Sequence, residues 1–325
     1  MDSHNTPLAE MTSVVFFMPM INQENVTIMR NMNEASHTQT TPSAIKAPMI
    51  MRELPSIPSL LGQAVFKSGS YNLGDPLPGL SAQVNDLTIK PEHLAAYKKV
   101  CEFDAEGNLP ATYLHMLAFP LVLKILIQQD FPLRAMGQVH LRNEISVLAA
   151  FDSKQPINMT AGVGGSVLTS RGLEWDIDLV ATVDNQTVWT SKSTFLHRCK
   201  TAIAKGRIKA VAGKGESHNW SVPADIGRRY ARVSGDFNPI HLADMTAKLF
   251  GFKHAIAHGM WSKARCLAAL EQQLPEAGYS VAVNFNRPLF LPSQALFFTH
   301  ELSGKQQFSL FNQRGDQSHL DGLIS

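Results

Sequence analysis

The chain reads as an α+β protein of two tandem halves, each a curved antiparallel sheet wrapped around one central apolar helix. Three observations predict this. The stretch HMLAFPLVLKILIQQ (115–129) is almost continuously apolar with a single lysine, the pattern of a helix buried on all sides. Alternating, β-branched stretches follow it: GQVHLRNEISVLAAF (137–151), GSVLTSRGLEWDIDLVATVD (165–184) and QTVWTSKSTFLH (186–197). The same order then recurs, with GMWSKARCLAALEQQL (259–274) as an amphipathic helix and SVAVNFNRPLFLPSQALFFTHEL (280–302) and QQFSLFNQRG (306–315) as strands. Helices followed by runs of strands place the chain among α+β folds.

In chain order, residues 1–52 differ in texture from the rest. Eight of the 13 methionines fall at or before Met51, among Asn, Thr and Ser, without periodicity. This predicts a weakly ordered leader, with Met51 as a plausible true start. The first half spans 53–205. It opens with LPSIPSL, and LTIKPEHLAAYKKVCEF (87–103) forms a short helix with Pro91 in its first turn. AGVGGS (161–166) reads as a turn between strands rather than a phosphate loop. GRIKAVAGKGES (206–217) is Gly- and Lys-rich and reads as a linker, and 218–325 forms the second half. The halves align by eye. Tyr97-Lys98-Lys99-Val100 matches Tyr230-Ala231-Arg232-Val233, Ala118-Phe119-Pro120-Leu121 matches Ala257-His258-Gly259-Met260, and VHLRNEI matches VNFNRPL. The second half carries extra residues at NPIHLADMTAKLFGFKH, between the first two anchors.

Composition narrows the function. A hydrophobic content of 44% with 17% charged residues describes a globular chain, and a net charge of +2 gives no argument for nucleic acid. Basic residues gather locally at Arg198, Lys200, Lys205, Arg207, Lys209 and Lys214, read as a solvated linker or as an electropositive rim for a phosphorylated ligand. Cys101, Cys199 and Cys266 have no framework spacing, which suits a reducing compartment. The apolar run SVVFFMPMI (13–21) is well short of the ~20 residues that span a bilayer, and no cleavage pattern follows it. Gly322-Leu323-Ile324-Ser325 is not a peroxisomal tripeptide, so no membrane association and a cytoplasmic location are expected.

One stretch concentrates chemistry. GDFNPIH (235–241) holds Asp236, Asn238 and His241 around a helix-breaking Pro239. A carboxylate of ordinary pKa ~3.9 and an imidazole of ~6.5, held one water apart, are both in usable states at neutral pH for taking and returning protons. Gly235 permits a turn and Pro239 places His241 at or near a helix start, so the two side chains can converge. The competing reading is that Asp236 and Asn238 are turn formers and His241 a capping or core residue.

The pattern Tyr230-x-x-Val233-Ser234-Gly235-Asp236-x-Asn238-Pro239-Ile240-His241, with Ala257-His258-Gly259-Met260 downstream, resembles the signature of MaoC-like dehydratases and R-specific enoyl-CoA hydratases. The match is specific over about 30 residues and extends more weakly from about residue 60 to the end. The resemblance implies a double hotdog fold whose second half is catalytic and whose first half accommodates the acyl chain. It implies reversible hydration of 2-enoyl thioesters, with Asp236 and His241 as the acid–base pair, Asn238 orienting the water or carboxylate, and the Gly259 N–H as oxyanion donor. A helix N-terminus suits that last role, since it presents free N–H groups and partial positive charge. Pro120, aligned with Gly259, has no N–H.

Ser234, Gly235 and His258 are expected to line the substrate. Arg232 and Lys263, among the cations flanking the signature, are candidates for the phosphates of a coenzyme A or acyl-carrier-protein thioester. No cofactor and no metal are expected: His254 and His258 are spaced i, i+4, but Ala255 stands where a zinc protease has glutamate. Cys266, Trp220 and Trp261 read as packing. Besides the hydratase, two other classes remain, a thioesterase and a non-catalytic acyl-binding subunit. The duplication supplies an internal pseudo-dimer, and further pairing into a homodimer is expected from the resemblance.

Overall fold

The computed structural model describes residues 40–43, 45–204, 213 and 215–325. Of the basic cluster, Lys205, Arg207, Lys209 and Lys214 lie outside the described residues, as does SVVFFMPMI. The first half contains β1 (Met49–Met51), α1 (Ile57–Phe66), β2 (Ser81–Leu87), α2 (Pro91–Cys101), α3 (Ala111–Leu117), α4 (Phe119–Leu126), β3 (Val139–Val147), β4 (Ile157–Thr169), β5 (Gly172–Val183) and β6 (Gln186–His197). The second contains β7 (Glu216–Val222), α5 (Ile226–Ser234), a 3₁₀ turn (Pro239–His241), α6 (Asp244–Lys248), α7 (Gly259–Ala269), β8 (Tyr279–Phe285), β9 (Ser293–Leu302), β10 (Lys305–Asn312) and β11 (Ser318–Ile324).

The strands pair into one sheet in the order β1-β2-β4-β5-β6-β3-β8-β11-β10-β9-β7. Set β1 aside and the duplication is plain: β2-β4-β5-β6-β3 in one half has the same order as β7-β9-β10-β11-β8 in the other. Each half crosses from its first strand through helices to the far edge, then returns as a three-strand meander. This is the double hotdog, and the two sheets fuse where β3 pairs antiparallel with β8, Ile145 opposite Val281. Both residues are fully buried.

Side chains tie the halves together above that seam. Tyr97 of α2 and Tyr230 of α5 face each other at 6.2 Å. The Tyr113 hydroxyl donates to His93 Nδ1 (3.0 Å), and His93 Nε2–H donates to the Val233 carbonyl (2.9 Å). Trp261 Nε1–H reaches the Val100 carbonyl across the same interface. Cys101 and Cys266 are buried, and burial pushes both thiols above their ordinary range, as packing residues require. Trp220 is only half-buried; it stacks on Phe297 and carries the Arg265 guanidinium at 4.4 Å.

Four expectations change. Residues 40–52 are not a leader: Thr40 bridges Ser166, Ile45 bridges Gly79, and β1 pairs parallel with β2. Met49 and Ile50 precede Met51 in that strand, so a start at Met51 would remove most of it. Residues 216–217 belong to β7, not to a linker, because they complete the edge ladder against Thr299 and Phe298. AGVGGS lies within β4, where the register shifts between Val163 and Ser166; an added Cβ at Gly164 would meet the Asp178 carboxylate at 2.6 Å. The apolar stretch 115–129 is two helices, starting earlier at Ala111 and restarting after Ala118, because Pro120 has no N–H to continue the ladder. Pro120 therefore stands in the first turn of α4, whereas the helical stretch begins at Ala111.

Among the described residues no helix is long and apolar enough to cross a membrane. Because the seam is continuous sheet, Ile145→Ala is expected to lower unfolding free energy by about 2–5 kcal/mol and to leave one cooperative transition in urea. Two separate transitions would show that the halves fold independently.

Candidate active site

The second half differs from the first between its two helices. Residues 102–110 suffice to join α2 to α3, whereas residues 235–258 join α5 to α7, and the candidate site is built from that longer connection.

Gly235 ends α5 in the left-handed region (φ 72°), where a Cβ would also strike Ile57 of α1. The reversal delivers Asp236. Ser234 Oγ accepts from the Asp236 N–H (3.2 Å), and Asp236 Oδ1 accepts from the Asn238 N–H (3.2 Å). Asn238 Oδ1 in turn accepts from Ile240 N (3.4 Å), capping the 3₁₀ turn that ends at His241. The turn-forming role of Asp236 and Asn238 is thus real, yet it engages only one oxygen of Asp236. The other, Oδ2, faces His258 Nε2 at 3.8 Å, and the Asp236 side chain keeps 30% of its exposure.

His241 is buried, and its Nδ1 lies 2.8 Å from the Ile256 carbonyl. A carbonyl only accepts, so Nδ1 carries the proton and Nε2 is left as a bare lone pair. Gly227 allows this placement: on α5 it lies against the His241 carbonyl, which any Cβ would meet. The segment carrying Ile256 is pinned on both sides, by Ile256 N to Ile240 O and by Ala257 N to Leu289 O. Asp244 closes the connection by accepting from Ala255 N and His254 Nδ1.

His258 caps α7, and its Nε2–H donates to the Asp236 main-chain carbonyl (2.9 Å). Its ring stacks on His241 with centroids 3.7 Å apart and planes 26° from parallel. One carboxylate oxygen of Asp236 and one ring nitrogen from each histidine lie within 4.8 Å of one another. That is a span one water bridges, since each hydrogen bond takes ~2.6–3.2 Å. Stacked rings present their nitrogens side by side instead of aiming them at one point, so the trio suits proton transfer better than metal ligation. Burial is the main cause holding His241 down to about 3, with His258 adding to it and Asp236 opposing it. Burial likewise pushes His258 down to about 4, against the hydrogen bond to Asp236. Both rings are neutral at pH 7.

Gly259 is the first residue of α7, and no partner for its N–H occurs among the described residues. The Phe285 ring packs 3.1 Å from where a Cβ would stand, which keeps the approach to that N–H narrow.

The structure therefore brings together Asp236, Asn238, His241, His258, Gly235 and Gly259, with Ser234 buried beneath the turn. One expectation fails. Lys263 is fully buried one turn into α7; its ammonium donates to Asn143 Oδ1 (2.6 Å), Asn143 O and Val281 O across the β3–β8 seam. It faces the sheet and not a ligand, because Gly259 and Lys263, four apart, share the inward helix face. Arg232 is exposed on α5. His254 is exposed and bound to Asp244, so it does not pair with His258. Sequence reasoning missed Ile256 and Gly227, which act through a main-chain oxygen and a missing side chain. Neither leaves a chemical signature in sequence.

The chain is similar to known proteins. Residues 205–318 match the MaoC-like domain. The 3-hydroxyacyl-thioester dehydratase X of Mycobacterium tuberculosis is 35% identical over 262 residues, covering 77% of this chain and 90% of that protein. The crystal structure of HtdX of Mycobacterium tuberculosis superposes with a TM-score of 0.66 at 31% identity over 75% of this chain and 98% of that one. A MaoC-like dehydratase from Phytophthora capsici superposes with a TM-score of 0.61 at 20% identity over 78% of this chain and 97% of that one, a likeness of fold.

Imidazole ¹⁵N NMR checks the site directly: between pH 5 and 8, His241 is expected as the neutral Nδ1–H tautomer and His258 as the neutral Nε2–H tautomer. Their depressed folded values mean that the unfolded chain binds more protons below its ordinary histidine pKa of ~6.5. Their contribution to stability is therefore expected to be complete above that pH and to be lost as pH falls toward about 3 to 4. His241→Gln should weaken that dependence in urea titrations.

Proposed function

The chain belongs to the MaoC-like dehydratase family, and on that footing we propose that it reversibly hydrates trans-2-enoyl thioesters to R-3-hydroxyacyl thioesters, carried on coenzyme A or an acyl carrier protein. The observation that carries the reading is the convergence of a carboxylate oxygen of Asp236 and a ring nitrogen of a neutral, correctly tautomerised His241 within 4.8 Å, with Gly259 opening the helix that follows His258.

In the hydration direction the water is held between the carboxylate and the bare Nε2 of His241. As its oxygen bonds to C3, its proton passes to the pair, and the pair returns a proton to C2. Water adds across the double bond with no net gain or loss of protons, and dehydration retraces the path. Negative charge developing on the thioester oxygen is met by the Gly259 N–H, aided by the positive end of α7. Asn238 sets the 3₁₀ turn that aims His241. Ser234 and Gly235 shape the turn that presents Asp236, and Arg232, exposed one turn before it, is the candidate to meet a coenzyme phosphate or an acidic carrier surface.

The first half, with only residues 102–110 where the second has 235–258, leaves space beside the seam for the acyl chain. It serves accommodation, and the second half serves chemistry. Two copies of the chain pairing as a homodimer would suit this division.

The test is a spectrophotometric assay following the conjugated enoyl group of crotonyl-CoA and a twelve-carbon enoyl-CoA. Asp236→Asn is expected to lose ~10³-fold or more in kcat/KM, roughly 4 kcal/mol of barrier. The longer substrate is expected to be turned over faster; equal rates from four to twelve carbons would count against accommodation in the first half. Thiol release without loss of the enoyl group would replace the hydratase with a thioesterase. An unchanged rate in Asp236→Asn would remove that residue from the machinery.

A further inference from the structure

His258 has three connections that no other side chain of the site combines. Its Nε2–H holds the main-chain carbonyl of Asp236 (2.9 Å), its ring lies flat on His241 at 3.7 Å, and it is covalently next to Gly259. The stretch 235–258 approaches the helix from a loop and a 3₁₀ turn, elements that would otherwise set Asp236 and His241 independently of α7. We propose that His258 is the positioning residue that locks the acid–base pair to the oxyanion donor, so that carboxylate, imidazole and Gly259 N–H move as one unit. It rests on the acid–base reading of Asp236 and His241.

The chemistry of the ring suits that task and no other at this position. Because Nε2–H is committed to the Asp236 carbonyl, the neutral ring has its lone pair on Nδ1, and Nδ1 is buried without a partner among the described residues. A buried bare nitrogen costs stability. A phenyl ring would stack without that cost, so the N–H toward Asp236 must account for the imidazole. A carboxamide would donate without stacking, so the face toward His241 must account for the ring. The remaining neighbours are consistent with a fixed, uncharged imidazole: Tyr230 of α5 packs on it at 4.9 Å, and the titratable groups facing His241 are Asp236 from the loop and His258 itself.

The test uses the full chain with His258→Ala and His258→Phe, read by crotonyl-CoA kinetics, thermal melting and imidazole ¹⁵N NMR. In His258→Ala, kcat is expected to fall ~10²-fold, the scale of a ~1 Å misplacement, with KM nearly unchanged. The acid limb of its pH–rate profile should move to higher pH, because His241 loses both shielding and a neighbouring imidazole. His258→Phe, which keeps the stack but not the N–H, should recover part of the rate. A folded His258→Ala with the parent kcat, or one that loses rate with an unmoved acid limb and no recovery in His258→Phe, would overturn the proposal. If the alanine variant does not fold, parent kcat in His258→Phe overturns the tether to Asp236. NMR keeps this question apart from the reaction assignment: an inert parent enzyme sinks the hydratase reading, whereas a His241 whose tautomer and titration midpoint are unchanged in folded His258→Ala sinks the positioning role, with or without turnover.

Discussion

Two imidazoles stacked out of water rest uncharged, and the one N–H of each needs an acceptor that has no proton of its own to donate. The site depends on that constraint. Main-chain carbonyls, from Ile256 for His241 and from Asp236 for His258, satisfy it, since a carbonyl oxygen only accepts and so selects the tautomer. Everything in the connection from 235 to 258 then follows. The chain must bring its own backbone to the ring nitrogens, which requires a left-handed glycine at 235, a capped 3₁₀ turn and a pinned strand-like segment before α7. Gly227 is the counterpart on the helix side, leaving out the side chain that would hold His241 away.

The duplication explains why this apparatus occurs once. Both halves run their five strands in the same order, and both wrap them around a helix. Only the second spends a long connection between its helices. The first half closes the same gap with residues 102–110, where Phe103 stacks on Tyr97. The halves are not separable bodies, because β3 and β8 share one ladder and the Lys263 ammonium bonds across it. An ammonium buried there is held by three oxygens, and burial pushes its pKa well below the ordinary range. It anchors the inward face of α7 one turn below Gly259.

Much of this was legible from residue order. The recurrence of helix and strand patterns, with Tyr97 matched to Tyr230, correctly foretold a pseudo-symmetric pair, because hydrophobic periodicity reports burial locally. The candidate stretch 235–241 stood out too, because Asp, Asn, Pro and His so close together carry turn chemistry and proton chemistry at once. Other readings failed for definable reasons. Lys263 looked like a phosphate ligand because charge predicts exposure, and only the seam supplies the carbonyls that make its burial tolerable. AGVGGS looked like a turn because glycines break strands, but here they let β4 bulge past Asp178. Residues 40–52 looked like a leader because isolated edge segments have no pattern until their partners are in place.

By itself, the order of amino acids determined the α+β duplication, which half holds the polar set, and which carboxylate and imidazole belong together, since these depend on residues near one another in the chain. Tertiary structure alone decided which histidine stacks on which, which carbonyl holds each proton, and that Lys263 serves the seam. Those contacts join residues 15 to 120 positions apart. Main-chain oxygens are identical at every position of a sequence, so only folding selects the ones that matter.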